Sequence, residues 1–389
     1  MNAKTRDTMW TVITYLLSLL PFAWWGVEMA KVEKIFFPDA SKGKGLFFLA
    51  ASMVVLCIWY FIHIIIHEAG HMVTGLLTHY RFVSFRIGSF TIVKDGSRLA
   101  VKKMVIKGTA GQCLMCPPVC EPEQLEDTWY LLGGGLMNLA FSSLSMYLYG
   151  ALSLSPASYF VFFLGGIMGV VTCISNLCPQ RAGGVANDGY TIFFERKNKN
   201  AKAAMYYVLL LNARMSEVDR VEFLSDEILE KIFYFPYSDL TNIFEANLYS
   251  LMSLLYIAKG EYEKAKECSE KLYQTDGVLG LFKNEARCDL LYHEIMGECR
   301  EEEITRLYDD QMKAYIKATS CYPSRKMLMY AYYLIYRDDE AQATRELCEL
   351  KALKETCSVK LEGVIACNEA ERIKERAREK FDREAEDWE

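Results

Sequence analysis

The chain has little histidine and little proline, with 5 His and 9 Pro among its 389 residues. The scarcity of histidine leaves few candidates for a metal ligand of that type. The 13 cysteines show no spacing typical of a disulfide framework, which argues against a small secreted domain. Lys4 and Arg6 precede the first apolar stretch as in a signal peptide, yet no Ala-x-Ala-like cleavage site follows it. We therefore expect a retained helix there.

What the chain does have is apolar sequence, concentrated before residue 190, whereas the second half is charged and helix-patterned. A helix that crosses a bilayer takes about 20 residues. Four stretches are long enough to do so: 9–27, 46–66, 131–154 and 157–177. Pro21 predicts a kink in the first stretch, and a very short turn at Pro156 joins the last two.

The distribution of Lys and Arg predicts the orientation of these spans. With four spans, the N-terminus, the loop 79–130 and the C-terminal half share one side. That side carries Arg81, Arg86, Lys94, Arg98, Lys102, Lys103, Lys107, Arg181, Arg196, Lys197 and Lys199. The opposite side carries Lys31, Lys34, Lys42 and Lys44. The excess of positive charge predicts that both termini are cytoplasmic.

Cys113 and Cys116 form a Cys-x-x-Cys pair, with Cys120 close by. No second such pair exists to complete a tetrahedral sulfur site. Seven of the 13 cysteines lie beyond residue 195, in the half expected to be cytosolic and reducing. We expect free thiols rather than a zinc site.

The second apolar stretch continues into a His-Glu-Ala-Gly-His motif at 67–71. His67 and His71 are four residues apart, so on a helix they lie on one face and can ligate one ion. Glu68 can take a proton from a water molecule that zinc activates. An ionisable side chain at the end of a long apolar helix also indicates function in its own right. A chance match is disfavoured because three of the five histidines fall on one helical stripe.

A catalytic zinc site needs a third protein ligand. His63 lies on the same stripe, but a set from 63 to 71 would extend about 12 Å along the helix, too far for one ion. His63 therefore reads as a cavity-lining or helix-packing residue. His79 lies beyond the helix and His293 in the second half. Asp188 remains, within an Asn-Asp-Gly sequence that is equally typical of a plain turn.

At this point the sequence resembles the site-2 proteases, a family of intramembrane zinc metalloproteases. The resemblance covers residues 45–195 and has four parts in order along the chain. These are the motif 67–71, a β-rich segment at 85–92 and 101–112, Gly134 to Asn138, and Asn176 to Pro179 followed by 187–189. They are similar to the family's catalytic helix, its following sheet, its Gly-Pro-x-x-Asn and its Asn-x-x-Pro…Leu-Asp-Gly.

The resemblance implies that His67, His71 and Asp188 hold Zn²⁺, that Glu68 is the catalytic base, and that Asn138 steadies the substrate carbonyl or its oxyanion. A helix-packing hydrogen bond is the plain alternative for Asn138. The chain departs from the family at Gly135, where proline is usual, and in a longer spacing from Pro179 to Asp188. The alternating segment 81–115, with Gly88, Gly96, Gly108 and Gly111, is expected to pair its edge with an unwound substrate.

From Ala201 onward the pattern is helical. The segment 256–265 resembles the helix–turn–helix of a tetratricopeptide repeat, and 332–341 keeps its Tyr-to-Ala spacing. We expect about three degenerate helical hairpins that offer a groove to a protein partner. A plain helical domain is the alternative. The last thirty residues are expected to form a solvated helix or a frayed tail.

Together these features predict a membrane α-helical protein with a small β-rich insertion and an all-α soluble domain. The expected parts are an N-terminal helix and loop at 1–44, a metalloprotease core at 45–195 and a cytosolic helical domain at 196–389. The predicted protein lies in the cell membrane as a multi-pass zinc endopeptidase that cuts transmembrane or membrane-associated peptides. The alternatives are an inactive membrane-anchored scaffold and a peptidase for small exported peptides. Contacts with membrane lipid are expected, and no nucleic acid.

Overall fold

The computed structural model describes residues 3–38, 42–95, 98–103, 110–152, 155–182, 185–196, 198–357 and 359–386. Residues 104–109 of the predicted β-rich segment, with Lys107 and Gly108, lie outside these ranges, as do Gly96 and Lys197. The chain forms two compact units. The first consists of 1–87, 110–118 and 126–197, and the second of 88–109, 119–125 and 198–389.

Among the described residues, four helical segments are long and apolar enough to cross a membrane. Three of them contain the predicted stretches 9–27, 46–66 and 157–177, and the fourth, Pro122–Ala151, overlaps the stretch 131–154 as far as Ala151. In the first unit the helices are α1 (Ala3–Phe36), α2 (Lys42–Leu77), α3 (Thr128–Ala151), α4 (Pro156–Ser158) and α5 (Leu164–Leu177). A π-helical turn, Tyr159–Phe163, joins α4 to α5. Large apolar side chains such as Leu20, Phe47 and Phe61 point outward on α1 and α2. An outward apolar surface on long helices is what a lipid environment favours.

The end of α2 follows from local chemistry, whereas the kink expected at Pro21, inside α1, stays a prediction. α2 ends at Leu77 and is followed by a left-handed residue, His79, whose φ is +67°. The Tyr80 N–H donates back to the Gly75 carbonyl at 2.8 Å. This is the usual way in which a helix C-terminus satisfies its last carbonyls. His79 is thus an exposed turn residue.

The segment that follows α2, in which apolar and polar residues alternate, forms four short strands joined by turns. The strands are β1 (Arg81–Ile87), β2 (Phe90–Asp95), β3 (Arg98–Lys103) and β4 (Gly111–Cys116). β1 pairs with β4, and β2 pairs with β3, both antiparallel. Within the predicted β-rich segment 85–92, the chain turns at Gly88, whose φ of +58° favours glycine. β1 and β4 belong to the first unit, beside α2.

Close backbone contact between α2 and α3 depends on glycine. A Cβ on Gly70 would overlap the carbonyl of Gly133, and a Cβ on Gly133 would overlap the Thr74 hydroxyl. Small residues at such crossings let two helix backbones approach closely in a membrane. This approach brings the end of α2, with its two histidines, against the start of α3.

From residue 198 onward the described part of the second unit is helical. Its helices are α7 (Lys199–Glu217), α8 (Asp226–Phe233), α9 (Ile243–Ala258), α10 (Tyr262–Gln274), α11 (Gly280–Met296), α12 (Glu301–Leu307), α13 (Asp310–Ala318), α14 (Pro323–Ala331), α15 (Glu340–Thr356) and α16 (Lys360–Glu386). The short α6 (Asp188–Tyr190) belongs to the first unit. The predicted helix–turn–helix at 256–265 is present, with its turn at Gly260 (φ +75°). A tetratricopeptide assignment stays a prediction.

Candidate metal centre

The end of α2 presents two imidazoles to one point in space. Nε2 of His67 lies 3.0 Å from Nε2 of His71, because a spacing of four residues stacks the two side chains on one face of a helix. His71 is buried, and His67 is partly exposed. The predicted ligand pair is therefore brought together by α2 alone.

Asp188 arrives at the same point from the far end of the first unit. Its Oδ2 is 3.2 Å from Nε2 of His67 and 3.4 Å from Nε2 of His71. The three ligand atoms all lie within 4.8 Å of one another. The long loop between Pro179 and Asp188 thus closes onto the histidines, and the predicted set His67, His71 and Asp188 forms one cluster.

The geometry of this cluster fits a tetrahedral metal ion. Two ligand atoms that each lie about 2.0–2.2 Å from such an ion are separated by about 3.3–3.6 Å. The separations of 3.2 Å and 3.4 Å from Asp188 agree closely, and the 3.0 Å between the histidines is slightly shorter. Zinc is one ion that favours two imidazoles and a carboxylate.

The hydrogen bonds around the cluster also favour a cation. The Nδ1–H of His71 donates to the Tyr130 carbonyl at 2.7 Å, so Nε2 of a neutral His71 carries a lone pair. Oδ2 of Asp188 is buried and makes no hydrogen bond, although it lies between two imidazole nitrogens. Lone pairs that converge without a shared proton repel one another unless a positive charge lies between them.

Electrostatics at Asp188 point the same way. Burial by itself raises the pKa of a carboxyl, but when no metal is bound and the imidazoles are protonated, the positive charge on His71 and His67 outweighs burial and holds the pKa of Asp188 well below its usual value. Positive charge at this point therefore keeps Asp188 ionised. A metal ion would supply the same positive charge without protonating either imidazole.

Asn187 fixes the loop that carries Asp188. Its Nδ2 donates to the carbonyls of Ser175 and Cys178, both at 2.7 Å. Its Oδ1 accepts from the N–H groups of Tyr190 at 2.8 Å and Gln180 at 3.2 Å. One amide thus uses all its hydrogen-bonding groups to tie the end of α5 to the start of α6. The sequence indicated a turn at Asn187 but not this role.

Replacing Asn187 with alanine is expected to weaken metal binding by about 10- to 100-fold, the range seen when groups that orient ligands are removed. The physical reason is that Asp188 then loses the bonds that hold its loop against α5. Competition with a chromophoric zinc chelator measures the affinity. The matched control is Asn198→Ala, which removes the N-cap of α7 from the Ala201 N–H. It should cost about 0.5–2 kcal/mol of stability and leave the zinc affinity unchanged; equal zinc affinities in the two variants would contradict the role of Asn187.

Tyr190 anchors the other side of this loop. It is fully buried, its hydroxyl donates to Asp7 of α1 at 2.9 Å, and the Arg181 guanidinium lies 4.4 Å from the centre of its ring. A buried tyrosine with its hydroxyl paired gives both packing and orientation. Asp188 is therefore held from two directions, by Asn187 before it and Tyr190 after it.

Glu68 lies beside the cluster, against β4. Its carboxylate lies near the backbone N–H of Cys113. A Cβ on Gly111 would stand 2.8 Å from Oε1 of Glu68, so only glycine leaves room for this side chain. Burial and the nearby Glu68 raise the pKa of the Cys113 thiol to about 12, so that it stays protonated. β4 thus forms one wall of the site.

Gly134 makes room for the first histidine. A Cβ at Gly134 would overlap three atoms of the His67 imidazole ring, including Nδ1 and Nε2. The ring therefore lies directly on the backbone of α3. In the sequence, Gly134 was noted only as part of the motif that resembles the family's Gly-Pro-x-x-Asn. Its contact with the His67 ring, which makes glycine necessary, could not be seen there.

Replacing Gly134 with alanine is expected to displace the His67 ring and lower zinc affinity by about 10- to 100-fold. Overpacking should also cost about 1–3 kcal/mol of stability. Gly150→Ala, on the same helix, is the matched control because a Cβ there meets nothing within 4 Å. Calorimetric titration of both variants with zinc checks the difference. A Gly134→Ala protein with wild-type affinity would show that the ring does not need this space.

The remaining predicted site residues are placed as follows. Asn138 is fully buried, with its amide 3.1 Å from Nδ1 of His63 and 3.5 Å from Nδ1 of His67. Its predicted contact with a substrate carbonyl stays a prediction. His63 is fully buried next to the cluster and is not part of it. His293 belongs to the second unit.

None of the 13 cysteines, which all lie within the described residues, forms a disulfide. Cys113 and Cys116 are both buried on β4. Because successive side chains of a strand alternate between its faces, two residues three apart point in opposite directions. The Cys-x-x-Cys spacing therefore serves neither a disulfide nor a shared metal ion here.

Comparison of the chain with protein-family models, with curated proteins and with solved structures gives no match. The resemblance to the site-2 proteases thus depends on the four motifs themselves, and function must be argued from the site.

Proposed function

We propose that the protein is an intramembrane zinc endopeptidase of the site-2 protease type. The observation that carries the proposal is the convergence of Asp188 on the two histidines of an HExxH helix, at separations suited to a tetrahedral ion. Zinc catalytic sites typically combine three protein ligands with one open position. The location of this site on a long apolar helix argues for a substrate in or near the membrane.

In this proposal His67, His71 and Asp188 hold the ion, which supplies Lewis acidity and lowers the pKa of a coordinated water toward about 7. Glu68 then accepts a proton from the attacking water. The same carboxyl returns that proton to the departing amine as the peptide bond breaks. Tyr130 and Asn187 orient the ligands and take no part in the proton transfer.

The membrane setting of the proposal is a multi-pass protein of the cell membrane with its C-terminal helical domain in the cytoplasm. The four long apolar helices support membrane association, and the distribution of Lys and Arg supports the orientation. Lipid covers the outward apolar side chains. The helical domain recruits or regulates the substrate through a protein contact, as stacks of helical hairpins commonly do.

Substrate was expected to pair with the edge of the β-rich segment, and β4 is the strand next to Glu68. The Cys113 carbonyl already accepts a hydrogen bond from the Tyr130 hydroxyl at 3.1 Å, and Glu68 lies near the Cys113 N–H. An extended substrate that adds to β4 must replace the bond from Tyr130 and displace Glu68 from this N–H. The Glu68 carboxylate would then be free to face the attacking water.

The proposal is tested by quantitative proteomics of membrane peptides from cells that carry the wild-type protein or the His71→Ala variant. The proposal predicts fragments cut within or beside transmembrane segments in the wild type only. Cut sites confined to the leaders of small exported peptides would instead support a processing peptidase. Identical peptide sets, with normal levels of both proteins in the membrane, would contradict proteolysis and favour an inactive scaffold.

A further inference from the structure

A line of buried polar groups connects the core of the first unit to His67. Nε2 of His63 lies 2.9 Å from the carbonyl oxygen of Gly165, and Nδ1 of His63 lies 3.1 Å from Oδ1 of Asn138. Nδ2 of Asn138 lies 3.5 Å from Nδ1 of His67. His63 and Asn138 are both fully buried. Buried polar groups of this kind must satisfy one another, because water does not reach them.

The Gly165 carbonyl at one end of this line determines which atom donates in each hydrogen bond. A carbonyl oxygen only accepts, so Nε2 of His63 carries the proton. The groups that contact His63 are neutral, and a buried unpaired cation would be costly, so the imidazole is neutral and its Nδ1 accepts. An accepting Nδ1 on His63 needs a donor opposite it, so the Asn138 amide must be flipped from the placement above, with its nitrogen toward His63 and its oxygen toward His67. The nitrogen and oxygen of an amide are assigned by such hydrogen bonds.

This arrangement turns the Asn138 oxygen toward His67. An oxygen at that position accepts the Nδ1–H of His67, which leaves a lone pair on Nε2, the atom that faces Asp188 and His71. In the opposite arrangement, His63 carries its proton on Nδ1 and the amide nitrogen of Asn138 faces His67. Nε2 of His63 and the Gly165 carbonyl oxygen would then both be acceptors and would face each other without a proton between them. The opposite arrangement would also place a proton on Nε2 of His67, where no metal could then bind.

We propose that His63 and Asn138 are positioning residues that hold His67 in the tautomer able to bind a metal ion. Both ends of the Asn138 amide are used within the protein, so Asn138 acts through His67. The neighbouring residues keep the line in place. A Cβ on Gly169 would stand 2.7 Å from Cε1 of His63, and the rings of Trp59 and Phe141 lie 5.9 Å and 5.6 Å from the His63 ring. This role deepens the proposed function and rests on its metal site.

The test measures zinc affinity of the full-length protein in detergent by chelator competition. His63→Leu removes the first donor and is expected to bind zinc about 10-fold more weakly, within the range for groups that orient ligands. His63→Gln keeps one N–H for Gly165 and one oxygen for the Asn138 amide, so it should restore most of the affinity. Because the residues act in series, the double variant His63→Leu/Asn138→Leu should bind no more weakly than Asn138→Leu alone. His79→Asn, at an exposed turn, is the matched control.

A second measurement needs no variant. Nitrogen-15 magnetic resonance of the histidine-labelled, zinc-loaded protein should place the proton of His67 on Nδ1 and the metal on Nε2. The proposal is overturned by ligation through Nδ1, or by a folded His63→Leu protein with wild-type zinc affinity. A wild-type protein that binds no metal would contradict both this proposal and the proposed function. Zinc binding with the expected dependence on His63 but no peptide cleavage would contradict only the latter.

Discussion

Replacing Glu68 with glutamine is expected to leave zinc binding intact and to lower the rate of peptide cleavage by about 10²- to 10⁴-fold, the usual contribution of a general base. Glutamine has nearly the same size and can still face the Cys113 N–H, but it cannot accept the proton of the attacking water. Single-turnover cleavage of a reconstituted transmembrane substrate measures the rate, and chelator competition measures zinc affinity.

Glu123→Gln is the matched control, since Glu123 is half exposed and pairs only loosely with Lys199 at 3.6 Å. It should cleave at the wild-type rate. A Glu68→Gln protein that binds zinc and still cleaves at the wild-type rate would remove Glu68 from the mechanism. Loss of zinc from Glu68→Gln would instead make this residue a structural support of the ligands.

The second large effect is expected from Asp188→Ala, which should lower zinc affinity by about 100-fold or more. Structural zinc sites with four ligands bind with about 10–16 kcal/mol, or about 3 kcal/mol for each ligand. Removing Asp188 also removes the charge that balances the ion in a buried place. Metal analysis after dialysis against a weak chelator is the measurement.

Asp310→Ala provides the comparison for this variant. Asp310 is exposed at the start of α13 and pairs with Lys313 at 2.9 Å, so its loss should not alter the metal content. If Asp188→Ala retained as much zinc as the wild type, Asp188 would not be a zinc ligand. His67 and His71 would then share the ion with a different third ligand.

The apolar helices and the histidine pair could be predicted because each depends on residues that are close together in the sequence. An apolar stretch of helix length predicts a span from composition alone, and each of the four stretches coincides with a long apolar helical segment over all or most of its length. A spacing of four residues likewise brings His67 and His71 together on any helix. Asp188 was predicted only from the resemblance, since its position depends on a loop whose closure no local pattern encodes.

The supports of the site could not be predicted for the same reason. The Tyr130 carbonyl and the Cys113 N–H are backbone groups, and any residue at those positions would offer them. The need for glycine at Gly134 appears only once α3 lies against His67. His63 was set aside as a neighbour because it is too far along the helix to share an ion, and its link to His67 passes through a side chain on α3.

The sequence patterns left the turns within these elements open. The β-rich segment predicted at 85–92 contains a turn at Gly88, because glycine tolerates the left-handed conformation that the turn requires. Pro21 lies inside α1, and the kink expected there stays a prediction.

X-ray absorption at the zinc edge of the purified, zinc-loaded protein is the decisive test of the proposed metal centre. We expect one zinc per chain, with nitrogen and oxygen ligands at about 2.0–2.2 Å, two of them imidazoles, and loss of one imidazole in His71→Ala. A zinc ion bound by sulfur at about 2.3 Å, or a protein that retains no metal, would contradict it.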